Sequence, residues 1–204
     1  KFRHGDLLIS GKEILDVGND LEKKYAGKLQ IDKTIDAKGT VILPGFVNVH
    51  HHTWQSLIRN IQATRGLKLE PWLTVMYEIY KDLNTDVARA GVYSGLGDML
   101  KTGCTTSNDL WYPHPVGVKY LVDAEIQAAA EIGIRFHPTR GFHSVPSDIV
   151  PPEVVDTKES VTEDTIRLVK KYHDRSHFSM CQVGIAPSIA QYETEDIIEA
   201  VVDL

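Results

Sequence analysis

The chain has 204 residues, 42% hydrophobic and 25% charged, with a net charge of −6, the balance of a globular protein of one domain or slightly more. The acidic balance makes a nucleic-acid backbone a poor partner. No apolar run reaches the roughly eighteen residues a membrane helix takes, and Lys1-Phe2-Arg3-His4-Gly5-Asp6 opens no signal-like segment, so a cytoplasmic protein without membrane contact is expected.

In chain order, Asp6 to Ser10 and Glu13 to Val17 flank Gly11-Lys12 as a hairpin, and Lys33 to Asp36 and Thr40 to Leu43 flank Ala37-Lys38-Gly39 as a second. Val41 to Val49, rich in β-branched residues, reads as a strand that runs into His50-His51-His52. Trp72, Met76, Ile79, Tyr80 and Leu83 recur at helical spacing. Asn84-Thr85-Asp86 caps a further helix that Gly103 stops, and Cys104 to Leu110 is the next strand. A helix from Lys119 to Glu131 ends at Gly133, and Ile134 to Thr139 is a strand. The stretch Gly141 to Pro152 is long for a βα connection and is a candidate lid. Ser160-Val161-Thr162-Glu163 has capping-box form, Phe178 to Ala186 reads as a fourth strand, and a last helix starts near Thr194. Repeated strand–helix alternation implies an α/β fold with a parallel sheet. A doubly wound sheet would carry a Gly-rich phosphate turn after its first strand, and none is present.

The histidine cluster carries the chemistry. Alternation along a strand sends His50 and His52 one way and His51 the other, so two imidazoles stand side by side. Neutral imidazole suits zinc, iron or nickel, and a catalytic site takes about three protein ligands plus an open position. The competing reading is a solvated histidine loop. Pro44-Gly45-Phe46-Val47-Asn48-Val49-His50-His51-His52 resembles the first metal motif of the amidohydrolase superfamily. Thr53 to Arg59, Glu70-Pro71-Trp72-Leu73, and Gly103 to Ser107 with Asp109 are most similar to its deaminase and chlorohydrolase branch, 8-oxoguanine deaminases in particular.

That resemblance implies a (β/α)8 barrel preceded by a small β-domain, with residues 1–43 as the β-domain's N-terminal contribution and 44–204 as the first four βα units. Such a barrel takes about 250 residues, so the chain is expected to be the N-terminal part of a longer enzyme and inactive alone. It also implies one divalent metal ion, zinc before iron, held by His50 and His52, with the remaining ligands and the acid–base groups beyond Leu204. Hydrolytic deamination of an amino-substituted N-heterocycle such as 8-oxoguanine is the activity it implies. Cyclic-amide hydrolysis and triazine dechlorination are alternatives within the superfamily.

Gln55 offers a donor and an acceptor to a purine edge, or is a surface amide. Trp72 is a candidate pocket wall or core residue, Arg140 a holder of a ring carbonyl or a partner in an exposed ion pair, and His143 a lid histidine. Asn108 and Asp109 line the pocket or satisfy backbone groups. Two readings lie outside this chemistry: a non-catalytic assembly subunit, and nucleophilic catalysis by Cys104 or Cys181, both expected to be buried thiols. The sequence leaves self-association into a homo-oligomer open.

Overall fold

The computed structural model describes residues 4–204. The chain divides into two compact units, one ending at Pro44 and one running from Gly45 to Leu204.

In the first unit β1 (Asp6–Ser10) pairs antiparallel with β2 (Glu13–Gly18), and Ser10 faces Glu13 across the turn. Gly11 takes the positive φ of +56° that a tight reversal needs. A short helix, α1 (Leu21–Tyr25), comes next, its Leu21 amide donating to Asp6 Oδ2 at 3.0 Å. The second expected hairpin does not form. The Ala37 turn closes through the Thr40 amide and the Ala37 carbonyl, but no ladder extends from it. Ile35 and Val41 stay 74% and 63% exposed, so neither arm has a buried face to set its register.

The second unit begins with β3, which is only Phe46–Asn48 rather than the longer run from Val41 to Val49. Pro44 lacks an amide hydrogen for a ladder. At Gly45 a Cβ would lie 2.0 Å from Thr105 Oγ1, so the chain passes its neighbour more closely than any side chain allows. After β3 come α2 (Leu69–Tyr80) and α3 (Thr85–Lys101), then β4 (Cys104–Trp111), α4 (Leu121–Ile132), β5 (Arg135–Phe142), α5 (Lys158–Tyr172), β6 (Gly184–Pro187) and α6 (Glu195–Val202). The sheet is parallel in the order β3-β4-β5-β6, the order of the chain.

Local chemistry explains most boundaries. Asn84 Oδ1 accepts from the Asp86 and Val87 amides at the start of α3, and Gly133 ends α4 at φ 78°. The cap of α5 lies three residues earlier than expected. Thr157 is the N-cap, and it exchanges side-chain and backbone hydrogen bonds with Ser160. β6 is also shorter than the expected strand. Phe178 turns to φ 60° and breaks the extended run, leaving an isolated bridge between Phe136 and Cys181.

Alternation sorts the strands' side chains. On β4, Ser107, Asp109 and Trp111 are buried toward the helices, while Asn108 lies on the other face and donates to Thr139 Oγ1 on β5. The main core, with Trp54, Tyr80, Leu96, Trp111, Phe136 and Leu168 at its centre, fills the space between sheet and helices. The opposite face is open along β3, where Val47 is 62% exposed.

Two glycines one turn apart on α3 let the helix lie against the segment after the histidines. A Cβ on Gly91 would come within 2.9 Å of Trp54 Cα and 3.0 Å of the Thr53 carbonyl oxygen, and one on Gly95 within 2.6 Å of Ser56 Oγ. Gly91 meets backbone, which cannot rotate away. Replacing Gly91 with Ala is therefore expected to lower unfolding stability by about 1–3 kcal/mol, the usual range for overpacking. Alanine at Gly97, which meets nothing within 4 Å, is the control in denaturant unfolding.

Candidate metal centre

The rings of His50 and His52 stand edge to face with centroids 5.0 Å apart, so the two imidazoles share one side of the chain as expected. His51 goes the other way, its ring 3.5 Å from where a Gly95 Cβ would be on α3. His52 Nδ1 donates to the Leu110 carbonyl at 2.9 Å. That bond sets the tautomer and leaves the Nε2 lone pair free, the arrangement of a metal-ligating histidine. Burial holds the His52 pKa below its ordinary value, which favours the neutral, ligating form. Among the described residues no group of three or more His, Cys, Asp and Glu side chains converges as a metal site. The histidine pair thus fits a partial donor set for zinc or iron.

The residue after His52 is held firmly. The Thr53 amide donates to Asp109 Oδ1 at 2.6 Å, and the Thr53 hydroxyl donates to Glu125 Oε1. Both carboxyls are fully buried. Burial pushes the pKa of each upward, Asp109 to about 8, and the two carboxyls raise the cost of charging one another, so the pair retains a proton at neutral pH. The signal for this was slight: Asp109 alternates onto the helix side of β4, but the sequence did not single out Glu125.

Beyond Thr53 an aromatic nest builds up. Trp54 packs against Trp111 at 4.6 Å and Tyr112 at 5.2 Å, and Tyr112 lies between His52, at 5.1 Å, and His143, at 5.3 Å. Gln55 Nε2 donates to the Tyr80 hydroxyl at 2.9 Å, which commits its amide nitrogen and leaves its carbonyl as an acceptor. The Tyr77 hydroxyl bonds His143 Nε2. Burial raises the Tyr77 phenol well above its usual range, so it stays protonated, and on the other side of the ring His143 Nδ1 lies 3.6 Å from Glu193 Oε1. Glu193 Oε2 in turn accepts from the Ser144 amide at 2.6 Å and its hydroxyl at 2.7 Å. Tyr112, Tyr77 and Glu193 were not singled out from the sequence. The tyrosines on α2 read there as an ordinary core stripe.

The other candidates separate. Trp72 packs against the main core as a partly buried residue. Arg140 faces away from the open side of the sheet: it is 2% exposed and forms a forked ion pair with Asp156, Nη2 to Oδ1 at 2.7 Å and Nη1 to Oδ2 at 3.0 Å, while Nε reaches Asp164 on α5 at 3.2 Å. Strand parity is the reason: Arg140 is an ion-pair partner, but in a buried pair rather than the exposed one expected. Asn108 is on the open face, donating to the His137 carbonyl at 2.9 Å. In the candidate lid, Gly141 and Phe142 belong to β5 and His143 is buried, so the irregular part starts later. Both cysteines are free, Cys104 buried and Cys181 half-buried with its thiol pushed up to about 11 by burial, the opposite of an activated nucleophile.

A histidine pair at the C-terminal end of the first strand of a parallel βα sheet defines the class, and comparison with known proteins agrees. The chain matches the amidohydrolase family over residues 41–204 and belongs to it. It is 31% identical to an 8-oxoguanine deaminase of Pseudomonas aeruginosa, over 98% of this chain and 46% of that protein. It is 30% identical to a hydroxydechloroatrazine ethylaminohydrolase of Pseudomonas sp. strain ADP, over 90% of this chain and 40% of that protein. The crystal structure of an atrazine chlorohydrolase from Arthrobacter aurescens TC1 complexed with zinc superposes with a TM-score of 0.85 at 26% identity, over 97% of this chain and 45% of that one. The chain thus spans a little under half the length of these relatives, and its four βα units form a half-barrel of the amidohydrolase type. Among the described residues no helix is long and apolar enough to cross a membrane.

The Arg140–Asp156 pair bears on how β5 is held. Removing one partner of a buried ion pair leaves the other charge uncompensated, at about 3–5 kcal/mol. Asp156→Ala is expected to destabilise the second unit by that order in denaturant unfolding.

Proposed function

We propose that this chain carries part of the active site of a zinc-dependent hydrolase that deaminates an amino-substituted N-heterocycle, a purine of the 8-oxoguanine type, within a (β/α)8 barrel. The observation that carries the reading is the His50–His52 pair, its rings 5.0 Å apart and its His52 Nδ1 committed to Leu110. His50 and His52 would hold one divalent ion, zinc before iron, and the presence of zinc in the related chlorohydrolase supports that order. When bound, such an ion supplies a water acidified from about 15.7 toward 7, a nucleophile at neutral pH. Water adds to the ring carbon that bears the amino group, the carbon–nitrogen bond breaks, and the nitrogen leaves as ammonia.

The chain's own residues orient the ring. Gln55, its amide nitrogen spent on Tyr80, presents a carbonyl acceptor to a ring N–H, and Trp54 and Tyr112 build the apolar floor around His52. Trp72, packed against the main core, has no direct part in this reading. His143 sits one ring beyond Tyr112 and supports the floor. Arg140, directed at Asp156 on the helix side, has no part in this reading.

A second reading, hydrolysis of a substituted triazine with release of an alkylamine or chloride, is favoured by the relatives named for those reactions. It uses the same histidines. A panel of oxopurines and triazines separates the two: ammonia from a purine supports the first, and ethylamine or chloride from a triazine with no ammonia from any purine overturns it.

In the full-length enzyme His50→Ala and His52→Ala are each expected to abolish stoichiometric zinc binding and turnover together, measured by metal analysis after dialysis and by product release. Full zinc content in either variant would remove that residue from the site. Gln55→Ala is expected to lower kcat/KM by about tenfold, the worth of one buried hydrogen bond, with zinc content intact.

A further inference from the structure

Asp109 and Glu125 are buried acids with no role in the chemistry above. Neither forms an ion pair among the described residues, and each is fully buried. Placing two carboxyls in the interior without a cation is costly, so their contacts indicate what the fold gains. Both hold Thr53, one residue after His52: Asp109 takes its amide and Glu125 its hydroxyl. The next residue of β4 continues the contact. The Leu110 amide donates to the His51 carbonyl at 3.0 Å, and the Leu110 carbonyl receives His52 Nδ1 at 2.9 Å. His51, His52 and Thr53 are therefore bonded in series to two successive residues of β4 and, through Glu125, to α4. On the far side, Gly91 of α3 presses on the Thr53 and Trp54 backbone.

We propose that Asp109 and Glu125 are positioning residues for the metal pair: by locking Thr53 they fix the direction of the His52 ring and its spacing from His50. This rests on the reading of His50 and His52 as ligands. A glutamine at 125 keeps a carbonyl acceptor for the Thr53 hydroxyl, and an asparagine at 109 keeps one for the Thr53 amide. Leucine at either position keeps the volume and offers no acceptor. Removing a hydrogen-bonding partner behind a metal ligand typically costs roughly 10- to 100-fold in metal affinity.

The test is zinc affinity, by competition with a chelating dye, set beside unfolding stability. Asp109→Leu and Glu125→Leu are expected to bind zinc about 10- to 100-fold more weakly, while Asp109→Asn and Glu125→Gln stay within a few-fold of the unsubstituted protein. A folded Asp109→Leu with unchanged zinc affinity overturns the proposal. So does a Glu125→Gln that loses as much affinity as Glu125→Leu, because the amide makes the same contacts. Should the leucine variants not fold, hydrogen exchange decides in the unsubstituted protein: a Thr53 amide among the slowest to exchange supports the lock, and rapid exchange overturns it. Failure of the ligand reading is distinguishable. In that case His52→Ala binds zinc as well as the unsubstituted protein, whatever Asp109 does.

Discussion

The structure around the candidate centre depends on one short segment, His51 to Ser56, being held from both sides. On one side β4 supplies successive hydrogen bonds through Asp109 and Leu110. On the other, α3 approaches so closely that Gly91 meets backbone where a side chain would have to stand, and Gly95 lies against the Ser56 hydroxyl. Neither contact alone would orient an imidazole. The hydrogen bonds set which ring nitrogen is free, and the helix removes the space into which the backbone could relax. His50 and His52 fall in irregular chain just past the end of a three-residue strand, and these contacts hold that chain against β4 and α3.

The aromatic nest extends that rigidity outward. Trp54 and Gln55 belong to the held segment, Tyr77 and Tyr80 to α2, Tyr112 to the end of β4 and His143 to the end of β5, so the floor beside His52 is assembled from four parts of the chain. Burial keeps the phenols of Tyr77, Tyr80 and Tyr112 protonated, so the layer carries no phenolate charge. An apolar floor with a few committed polar atoms is the usual setting for a flat heterocycle. The tie from His143 through Glu193 to Ser144 brings the segment after β6 into the same layer.

Much of this order was legible in the residues. The Asn84 cap, the Gly133 stop, the first hairpin and the alternation of strands and helices are local signals, each set by neighbours a few positions away. The departures have physical causes of the same scale. The expected fourth strand would open on Phe178, which sits in the left-handed region, and Thr157 rather than Ser160 caps α5, with Ser160 as the N3 partner of its capping box. The second hairpin is different: its turn forms, and its arms stay open because no face of theirs is buried.

The amino-acid sequence by itself determined the succession of elements, the family, and the pairing of His50 with His52 on one side of the chain, because period-two alternation and capping need no distant partner. Tertiary structure alone decided that Arg140 turns to Asp156 instead of the open face, that Asp109 meets Glu125 across Thr53, and that Tyr112 stands between His52 and His143. Those contacts join residues 16 to 72 positions apart in sequence. Their geometry follows from strand register and helix approach, which no local pattern encodes.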